Sequence, residues 1–310
     1  MPVVQGALAS PPMVQRRPGV MIWPQMPLSR SRQITLPMRH IEAAIAQAQP
    51  RAEGALDLRV KHRDGRSAID RFRASGAYKA LFPRSALGVQ AIVLNTGGGV
   101  TGGDRFALTG HVGVDAHLTL TTQAAERAYR AARGWGRVDS AITVEAGATL
   151  HWLPQELILY DGCALHRRLR VDLADGASVL LVEPVIFGRV AMGERLTQAR
   201  FRDDIAVYRA GRPVYRDALR LEGDLSRSAL RRAILNGAGA MACLVYAAPD
   251  APAHLDGLRA LLPDTAGASL LAPDLLVMRL VASDGFALRA SLLPVLDRLS
   301  RDTLPVSWRL

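Results

Sequence analysis

The stretch RFALTGHVGVDAHLTL, residues 105–120, alternates between apolar and polar side chains. Its apolar residues fall on even positions: Phe106, Leu108, Val112, Val114, Ala116, Leu118 and Leu120. A period of two is typical of β-strands that bury one face. The same alternation returns in residues 140–154 and 168–184. The sequence therefore predicts a body made mainly of β-strands.

Three segments of this body share one plan, in which an alternating run leads into a turn rich in Asp, Gly or Ala and then into a second alternating run. Ala116, Ala148 and Ala177 occupy matching positions, 32 and 29 residues apart. Repeats about 30 residues long, each forming a hairpin, indicate stacked sheet layers or a β-solenoid. A plain β-sandwich gives a similar pattern, so the body is expected to be β-helix-like or sandwich-like.

The last third of the chain has a different pattern. Helices are predicted over residues 226–237, 253–262 and 288–302, the first between a Ser and a Gly and the third with a kink at an internal Pro. Strands are predicted over residues 241–247 and 275–283. This part is expected to be α+β and to pack against the sheets.

By composition the chain divides into an N-terminal extension and one domain. Residues 1–40 hold five arginines and no acidic residue, which is typical of a disordered or peripheral segment. Residues 1–50 are therefore assigned to this extension, and residues 51–310 to the domain. Within the domain, the sheet-layered body covers about 51–225 and the α+β part about 226–310.

The composition, 49% hydrophobic and 22% charged, is that of a soluble globular protein. No window holds 18 uninterrupted apolar residues, so no membrane span is expected. Cys163 and Cys243 stand 80 positions apart, which argues against a disulfide framework and favours a reducing, cytoplasmic location. The formal charge of +11 comes mostly from arginines spread along the chain, which favours an acidic protein partner over a nucleic acid.

The glycine-rich stretch AIVLNTGGGVTGGDR, residues 91–105, contains the spacing Gly97-x-Gly99-x-x-Gly102 of a dinucleotide-binding loop. That loop requires a helix directly after the last glycine, whose N-terminus holds the pyrophosphate. Here a period-two segment follows instead, so a nucleotide site is excluded. The glycines suit a tight crossing between sheet layers. Asp104, at the start of the next strand, is expected to line a narrow polar passage or an interface.

Five motifs, in this order and spacing, resemble the urease accessory proteins called UreD, or UreH in some bacteria. They are LNTGGGVTGGDRF (94–106), TTQAAERAYRA (121–131), WLPQELILYDGCALHRR (152–168), FGRVAMGE (187–194) and YRDALRLEG (215–223). The resemblance extends over roughly residues 54–310, so the domain is expected to be UreD-like.

This resemblance implies a non-catalytic scaffold that assembles with UreF and the GTPase UreG on apo-urease and inserts nickel into the urease active site. It also implies a mostly β fold with stacked sheets. Nickel is thought to pass through an internal polar tunnel, whose acids correspond here to Asp104, Glu183 and Asp217. No tightly bound cofactor is implied, and weak carboxylate sites suit a transient nickel(II) cargo better than a thiolate or imidazole cage does.

Other polar residues have simpler interpretations. His111, His117 and His151 stand alone on alternating strands, without the closely spaced partners of a strong metal-ligand set. Trp152 and Phe187 are expected to pack in the core. Arg189 and Glu194 are candidates for an ion pair, and residues 126–130 are either a polar face for UreF or a solvated turn.

The residues themselves also leave an enzymatic alternative open. A β-solenoid hydrolase would use two carboxylates set about 5–9.5 Å apart across a groove. The sequence contains no nucleophile elbow, no Ser/His/Asp grouping of known spacing and no H-x-x-x-H pair. The non-catalytic interpretation is therefore preferred.

Overall fold

The computed structural model describes residues 50–309 and consists mainly of β-strands arranged in two stacked sheets. The predicted N-terminal extension, residues 1–50, lies outside the described residues except for Pro50. The described region confirms the predicted fold class, a mainly β body of stacked sheets with a solenoid-like arrangement and few helices.

The first sheet has seven strands in the order β14-β13-β11-β8-β5-β1-β2. Its strands are β1 (Glu53–Arg63), β2 (Arg66–Gly76), β5 (Arg105–Val112), β8 (Gly136–Val144), β11 (Ala164–Leu173), β13 (Ala199–Arg209) and β14 (Arg212–Gly223). The five inner strands, from β13 to β1, pair in parallel, and the hairpins β1–β2 and β13–β14 add an antiparallel strand at each edge.

The second sheet has ten strands, eight of them in the order β16-β17-β15-β12-β9-β6-β4-β3, with β10 beside β12 and β7 beside β10. Its strands are β3 (Tyr78–Leu81), β4 (Val89–Asn95), β6 (His117–Thr122), β7 (Glu126–Ala128), β9 (Thr149–Leu153), β10 (Leu157–Leu159), β12 (Ser178–Phe187), β15 (Ala240–Ala247), β16 (Ala266–Ala272) and β17 (Leu275–Ala282). The central strands β4, β6, β9 and β12 pair in parallel.

The helices are α1 (Leu225–Ala229), α2 (Ala251–Arg259) and α3 (Gly285–Ser300), with two 3₁₀ turns, Val190–Met192 and Val306–Trp308. Helices α2 and α3 pack against the second sheet through strands such as β15, β16 and β17. Within residues 50–309, no helix combines the length and the apolar character needed to cross a membrane.

The repeats form arches between the two sheets, so the prediction that each is a hairpin was wrong. Strand β5 lies in the first sheet, and β6, which follows it, lies in the second; β8 and β9 repeat this, as do β11 and β12. Even-numbered residues of β5 and β6 face inward on both sides of the turn, for example Leu108 and Leu118. In an arch between two facing sheets, every second side chain of each strand is buried. A hairpin with one buried face shows the same alternation, so the sequence pattern alone does not distinguish an arch from a hairpin.

The matching alanines of the repeats stack at the turns of successive arches. Ala116, Ala148 and Ala177 are all buried, and the carbonyl of Ala116 accepts from the N–H of Thr149 at 2.9 Å. Gly147, just before Ala148, has a φ of +70°, and a Cβ there would lie 2.0 Å from the Asp115 carboxylate. The small residues and the glycine are thus required because consecutive turns touch.

Both strands predicted in the C-terminal part are present, but β16 was not predicted and one predicted helix is much shorter than expected. Strands β15 and β17 match the predicted residues 241–247 and 275–283. They extend the second sheet: β15 pairs antiparallel with β12, and β17 pairs antiparallel with β15. The helix predicted over residues 226–237 stops at Ala229. Leu230 is 69% exposed. A segment without an apolar face packed on a neighbour loses most of the stabilisation that sustains a short helix.

Two apolar layers hold the molecule together. The first lies between the sheets and includes Leu58, Phe106 and Phe201. The second lies between the outer face of the second sheet and the helices, and includes Leu292 and Trp308. Side chains of strand β12 alternate between these layers, so a polar residue on its inner face is buried between two sheets.

Candidate functional site

The glycine stretch forms a turn between strands, without a helix at its end. Strand β5 begins at Arg105, directly after the turn, which confirms that the segment following Gly102 is extended. A Cβ on Gly102 would lie 2.1 Å from the carbonyl oxygen of Arg133. Glycine is required here because two backbone segments approach each other closely. This confirms the tight crossing predicted for the glycine stretch.

Asp104 is 4% exposed and holds this turn together. Its Oδ1 accepts from the backbone N–H of Ala52 at 2.9 Å, and its Oδ2 accepts from the N–H of Thr101 at 2.8 Å. Both carboxylate oxygens therefore bind backbone amides, one in the turn and one in the segment that leads into β1. A carboxylate that accepts from backbone amides fixes local geometry.

A cavity of about 80 Å³ lies between the two sheets, on the face that buries the inner side chains of β8, β9, β11 and β12. Its polar lining residues include Thr121, Thr122, Glu126, Ser140, Gln155, Arg167 and Glu183. Of the three predicted tunnel acids, only Glu183 belongs to this lining within the described part of the chain.

Glu183 takes part in a buried ionic cluster that bridges the sheets. Arg167 of β11 donates to both carboxylate oxygens of Asp203 on β13, at 2.9 and 2.6 Å. The third guanidinium nitrogen, Nη1, lies 2.5 Å from Glu183 Oε2 as an ion pair, in an orientation that makes no hydrogen bond. Trp152 Nε1 donates to Glu183 Oε1 at 2.7 Å. One cation thus serves two buried carboxylates.

Burial controls the ionisation of this cluster. It raises the pKa of Glu183 from 4.5 to about 7, and the nearby Asp203 adds to the rise, although Arg167 and Trp152 oppose it. Burial also disfavours the charged guanidinium of Arg167, but Asp203 and Glu183 outweigh that effect and raise its pKa. Arg167 therefore stays charged, while Glu183 exchanges its proton near neutral pH.

Asp217 lies in the same layer between the sheets, beyond the cavity. It forms an ion pair with Arg279 of β17. Arg279 is the cross-strand neighbour of Cys243, and Cys243 is in turn the cross-strand neighbour of Glu183. The hydroxyl of Tyr215, two residues before Asp217, lies 3.2 Å from Cys243 Sγ. A continuous band of polar side chains therefore connects Glu183 with Asp217.

The two buried groups in the middle of this band are neutral. Burial raises the pKa of the Cys243 thiol to about 11. Burial and the neighbouring Cys243 raise the pKa of Tyr215 as well. Cys243 is accordingly a thiol, not a reactive thiolate, at neutral pH. We call the residues Arg167, Glu183, Asp203, Tyr215, Asp217, Cys243 and Arg279 the polar layer.

At the other end of the cavity, Glu126 of β7 supplies a second acid. Its Oε2 accepts from Asn95 Nδ2 at 3.2 Å, and its Oε1 accepts from the N–H of Arg127 at 3.0 Å. Burial raises the pKa of Glu126, and the hydrogen bonds from Arg127 and Asn95 only partly oppose this. Residues 126–130 were predicted to be either a polar face or a solvated turn, so the place of Glu126 in the cavity lining was not predicted.

His117 and His151 are neighbours, although the sequence places them 34 positions apart and they were expected to stand alone. Their rings meet edge to face with centroids 4.6 Å apart. Burial lowers the pKa of His117 to about 4 and that of His151 to about 3, so both are neutral at pH 7. His111 instead lies 3.2 Å from Glu145. Within residues 50–309, no three or more His, Cys, Asp or Glu side chains gather as a metal-binding group.

Three simpler predictions have clear outcomes. Arg189 and Glu194 form the expected ion pair, at 3.1 Å. Phe187 is buried, as expected. Trp152 packs against the core between the sheets, but its indole N–H also donates to Glu183. Its role is therefore partly polar, which its apolar surroundings in the sequence did not indicate.

Arg167 and Asp203 are the main residues that the sequence analysis missed. Both occupy inward positions of alternating strands: Arg167 lies between the buried Leu165 and Leu169, and Asp203 between Phe201 and Ile205. A charged residue in the apolar phase of a strand is the signal that would have identified them, because buried charges occur in ion pairs.

The family model described as UreD urease accessory protein matches residues 52–308. A urease accessory protein UreD of Roseobacter denitrificans is 52% identical over 263 residues, which cover 84% of this chain and 96% of that protein. Its counterpart from Ruegeria pomeroyi is 53% identical, covering 78% and 95% of the two chains. The one from Rhizobium etli is 41% identical, covering 86% and 98%.

Proposed function

The chain belongs to the UreD urease accessory protein family, and from this premise we propose that it is a non-catalytic scaffold acting in the cytoplasm. In this role it binds apo-urease together with UreF and the GTPase UreG and helps to deliver nickel(II) to the urease active site. The names of its relatives support the accessory role. The partners and the metal are part of the proposal.

The polar layer supports a passage for the metal between the sheets. Its carboxylates and hydroxyl are oxygen ligands, which hold nickel(II) more weakly than imidazole or thiolate sets do. Glu183 is the single observation that carries this part of the proposal: it is a buried carboxylate in the cavity lining, and it shares the guanidinium of Arg167 with Asp203. Two buried carboxylates with one cation between them favour a further cation that reaches them.

The charge of the site depends on whether Glu183 is protonated. With a pKa near 7, the carboxyl group is partly protonated when no metal is present. An arriving cation displaces that proton, because metal ligands must be deprotonated. When both carboxylates are ionised, Glu183 and Asp203 outnumber the one charge of Arg167, so the cluster has a net negative charge that attracts a cation.

The same contacts count against the hydrolase alternative. Paired catalytic carboxylates require one acid free to donate a proton and one free to attack or to activate water. Here Glu183 and Asp203 share the guanidinium of Arg167, and both oxygens of Asp203 accept from it. Asp104 is occupied by two backbone amides.

Reconstitution tests the accessory role. Apo-urease, UreF, UreG, GTP, bicarbonate and nickel(II) are combined with and without this chain, and the rate of urea hydrolysis is measured. Active urease is expected only when the chain is present. Equal activation in its absence would reject the proposal.

A pair of matched variants tests the passage. Glu183→Gln removes the buried carboxylate, whereas Glu222→Gln changes a glutamate that is half exposed and pairs with Arg202 at the surface. Both variants are expected to assemble with the partners on a sizing column. Nickel bound to urease, measured by mass spectrometry of the metal, should fall several-fold only with Glu183→Gln. Equal nickel loading by the two variants would remove Glu183 from the route.

A further inference from the structure

The outer face of the first sheet carries a row of basic side chains, four arginines and a histidine, that crosses five strands. In the pairing register, Arg105 of β5 lies beside Arg137 of β8, then His166 of β11, Arg202 of β13 and Arg220 of β14. With about 4.8 Å between strands, the row is about 19 Å long. Like charges placed side by side on adjacent strands destabilise a sheet. The row therefore has an energetic cost that the fold alone does not explain.

Two arginines of this row have no carboxylate partner in residues 50–309. Arg202 pairs with Glu222 at 3.0 Å, and His166 and Arg220 both pair with Asp204. Arg105 and Arg137, in contrast, are exposed and form no ion pair there. The β5–β8 end of the row therefore has no ion pair within residues 50–309, although Glu53 of β1 is the register neighbour of Arg105.

The next outward row of the same sheet is compensated. Arg168 of β11 pairs with Asp139 of β8, its direct neighbour in the register. Asp139 lies two residues after Arg137, on the same outer face. Ion pairs therefore do form between neighbouring strands on this face. Their absence at Arg105 and Arg137 is confined to that end of the row.

A third arginine and a tryptophan continue the basic region. Arg200 is exposed, and its guanidinium carbon lies 5.2 Å from the centre of the Trp135 ring, while that of Arg202 lies 4.8 Å from the same ring. Trp135 directly precedes β8. A guanidinium that stacks on an indole uses its flat face for the contact. Its N–H groups point outward in the plane of the guanidinium and can still donate hydrogen bonds to a partner. Arginine and tryptophan are the side chains most enriched at the centres of protein interfaces.

A shallow groove runs beside Arg105 and Arg137. Its lining includes the small side chains of Ala55 and Ala107, together with Glu53. Helices α2 and α3 pack against the second sheet, on the other side of the molecule from this face. An approaching chain therefore reaches the two arginines across a surface of small residues.

We propose that Arg105, Arg137 and Arg200, here named the arginine patch, bind an acidic surface of a folded partner protein. Because the patch is basic, charge complementarity favours a partner with an acidic surface. The carboxylates of Glu53 and Asp139 border the patch and would repel a continuous phosphate backbone, whereas a protein surface of mixed charge can match them. The partner is therefore a protein and not a nucleic acid. This proposal rests on the proposed function, which identifies the members of the assembly. It adds that the outer face of the first sheet contacts one of them.

Charge reversal tests the patch. The variant with Arg105→Glu, Arg137→Glu and Arg200→Glu is compared with the wild-type chain for binding to apo-urease, UreF and UreG, each immobilised separately, at 50 and 500 mM salt. With one of these partners, the reversal is expected to weaken binding about tenfold or more at low salt and to abolish the salt dependence. Wild-type binding to that partner should fall as salt rises.

A control variant carries the same change of charge elsewhere on the sheet. Arg59→Glu, Arg212→Glu and Arg216→Glu reverse three exposed arginines without ion pairs in residues 50–309, toward the opposite ends of the strands. Its binding should change less than about threefold, because exposed charges more than a Debye length away are screened. Circular dichroism and thermal unfolding of both variants verify that they fold.

The outcomes separate this proposal from the proposed function. If the wild-type chain activates urease and the patch variant binds all three partners like the control, the arginine patch is rejected and the accessory role stands. Binding of single-stranded RNA and of vesicles with anionic lipid is measured with the same chains. If the patch variant loses only this binding and keeps that of the three proteins, the protein partner is rejected. If the wild-type chain does not activate urease, the accessory role fails whatever the patch does.

Discussion

Asp104 in the glycine turn and Glu183 in the polar layer are both buried carboxylates, but they are held by different kinds of groups. Asp104 accepts two backbone N–H groups, which cannot move without moving the chain. Glu183 is held by the side chains of Arg167 and Trp152, and one of its oxygens makes no hydrogen bond. A carboxylate bound by the backbone fixes a structure, whereas one bound by side chains retains freedom to exchange a proton or a cation.

The largest effect is expected from removing Arg167, the cation that lies between Glu183 and Asp203 in the polar layer. Arg167→Met leaves Glu183 and Asp203 buried without a counter-charge and should lower the free energy of unfolding by about 3–5 kcal/mol. Arg168→Met, on the exposed outer face of the same strand, should lower it by less than about 1 kcal/mol. Denaturant unfolding of the two variants measures the difference. Similar losses for both would mean that the buried cluster is not held by Arg167.

The second prediction concerns pH. A pKa of Glu183 raised from 4.5 to about 7 means that the native state prefers the protonated form. The associated stability is fully present below pH 4.5 and is lost as pH rises through 7, by up to about 3 kcal/mol. Glu183→Gln cannot ionise. The melting temperature of the wild-type chain should therefore fall relative to that of Glu183→Gln between pH 5 and 8, and parallel curves would contradict the raised pKa.

The third prediction tests the structural role of Asp104. Asp104→Ala leaves the partly buried N–H groups of Ala52 and Thr101 without their acceptor, and should destabilise the chain by about 2 kcal/mol. Asp175→Ala, in an exposed turn, should have an effect within about 0.5 kcal/mol. Chemical unfolding and the elution of the UreF complex from a sizing column are measured together. A stable Asp104→Ala chain that binds UreF but fails to activate urease would place Asp104 in the nickel route instead.

The smallest effect is expected at the neutral centre of the polar layer. Tyr215→Phe removes the hydroxyl that lies 3.2 Å from Cys243 Sγ and should lower stability by about 1 kcal/mol. Tyr208→Phe, on the outer face of β13, is the matched control and should have little effect. Reaction of native Cys243 with a thiol reagent should be slow in the wild-type chain at pH 7, because its pKa is about 11. Rapid labelling would contradict a buried thiol.

Much of the fold was predictable because alternation is a local property of the chain. The period of two identified the strands around residues 105–120, and the spacing of Ala116, Ala148 and Ala177 identified the repeat. The glycine turn was predicted to lack a nucleotide-binding helix, and it does lack one. The connection between strands was not predictable, because an arch and a hairpin bury the same phase of the alternation.

The candidate site was predicted less completely. Family resemblance pointed to Glu183 and Asp217, which lie in one polar band, and to Asp104, which lies in the turn. Arg167 and Asp203 were missed, although each interrupts the apolar phase of its strand. Their meeting depends on sheets that face each other across a layer, and no spacing along the chain encodes that contact.

The sequence by itself determined the strands, the inward and outward positions on each strand, the repeat and the family. Only the tertiary structure decided that successive strands enter opposite sheets, that one guanidinium joins two buried carboxylates, and that two arginines without ion pairs lie side by side on an exposed face. The reason is physical: periodicity states which side of a strand a residue occupies, whereas its charge partners are set by the register and stacking of strands distant in the chain.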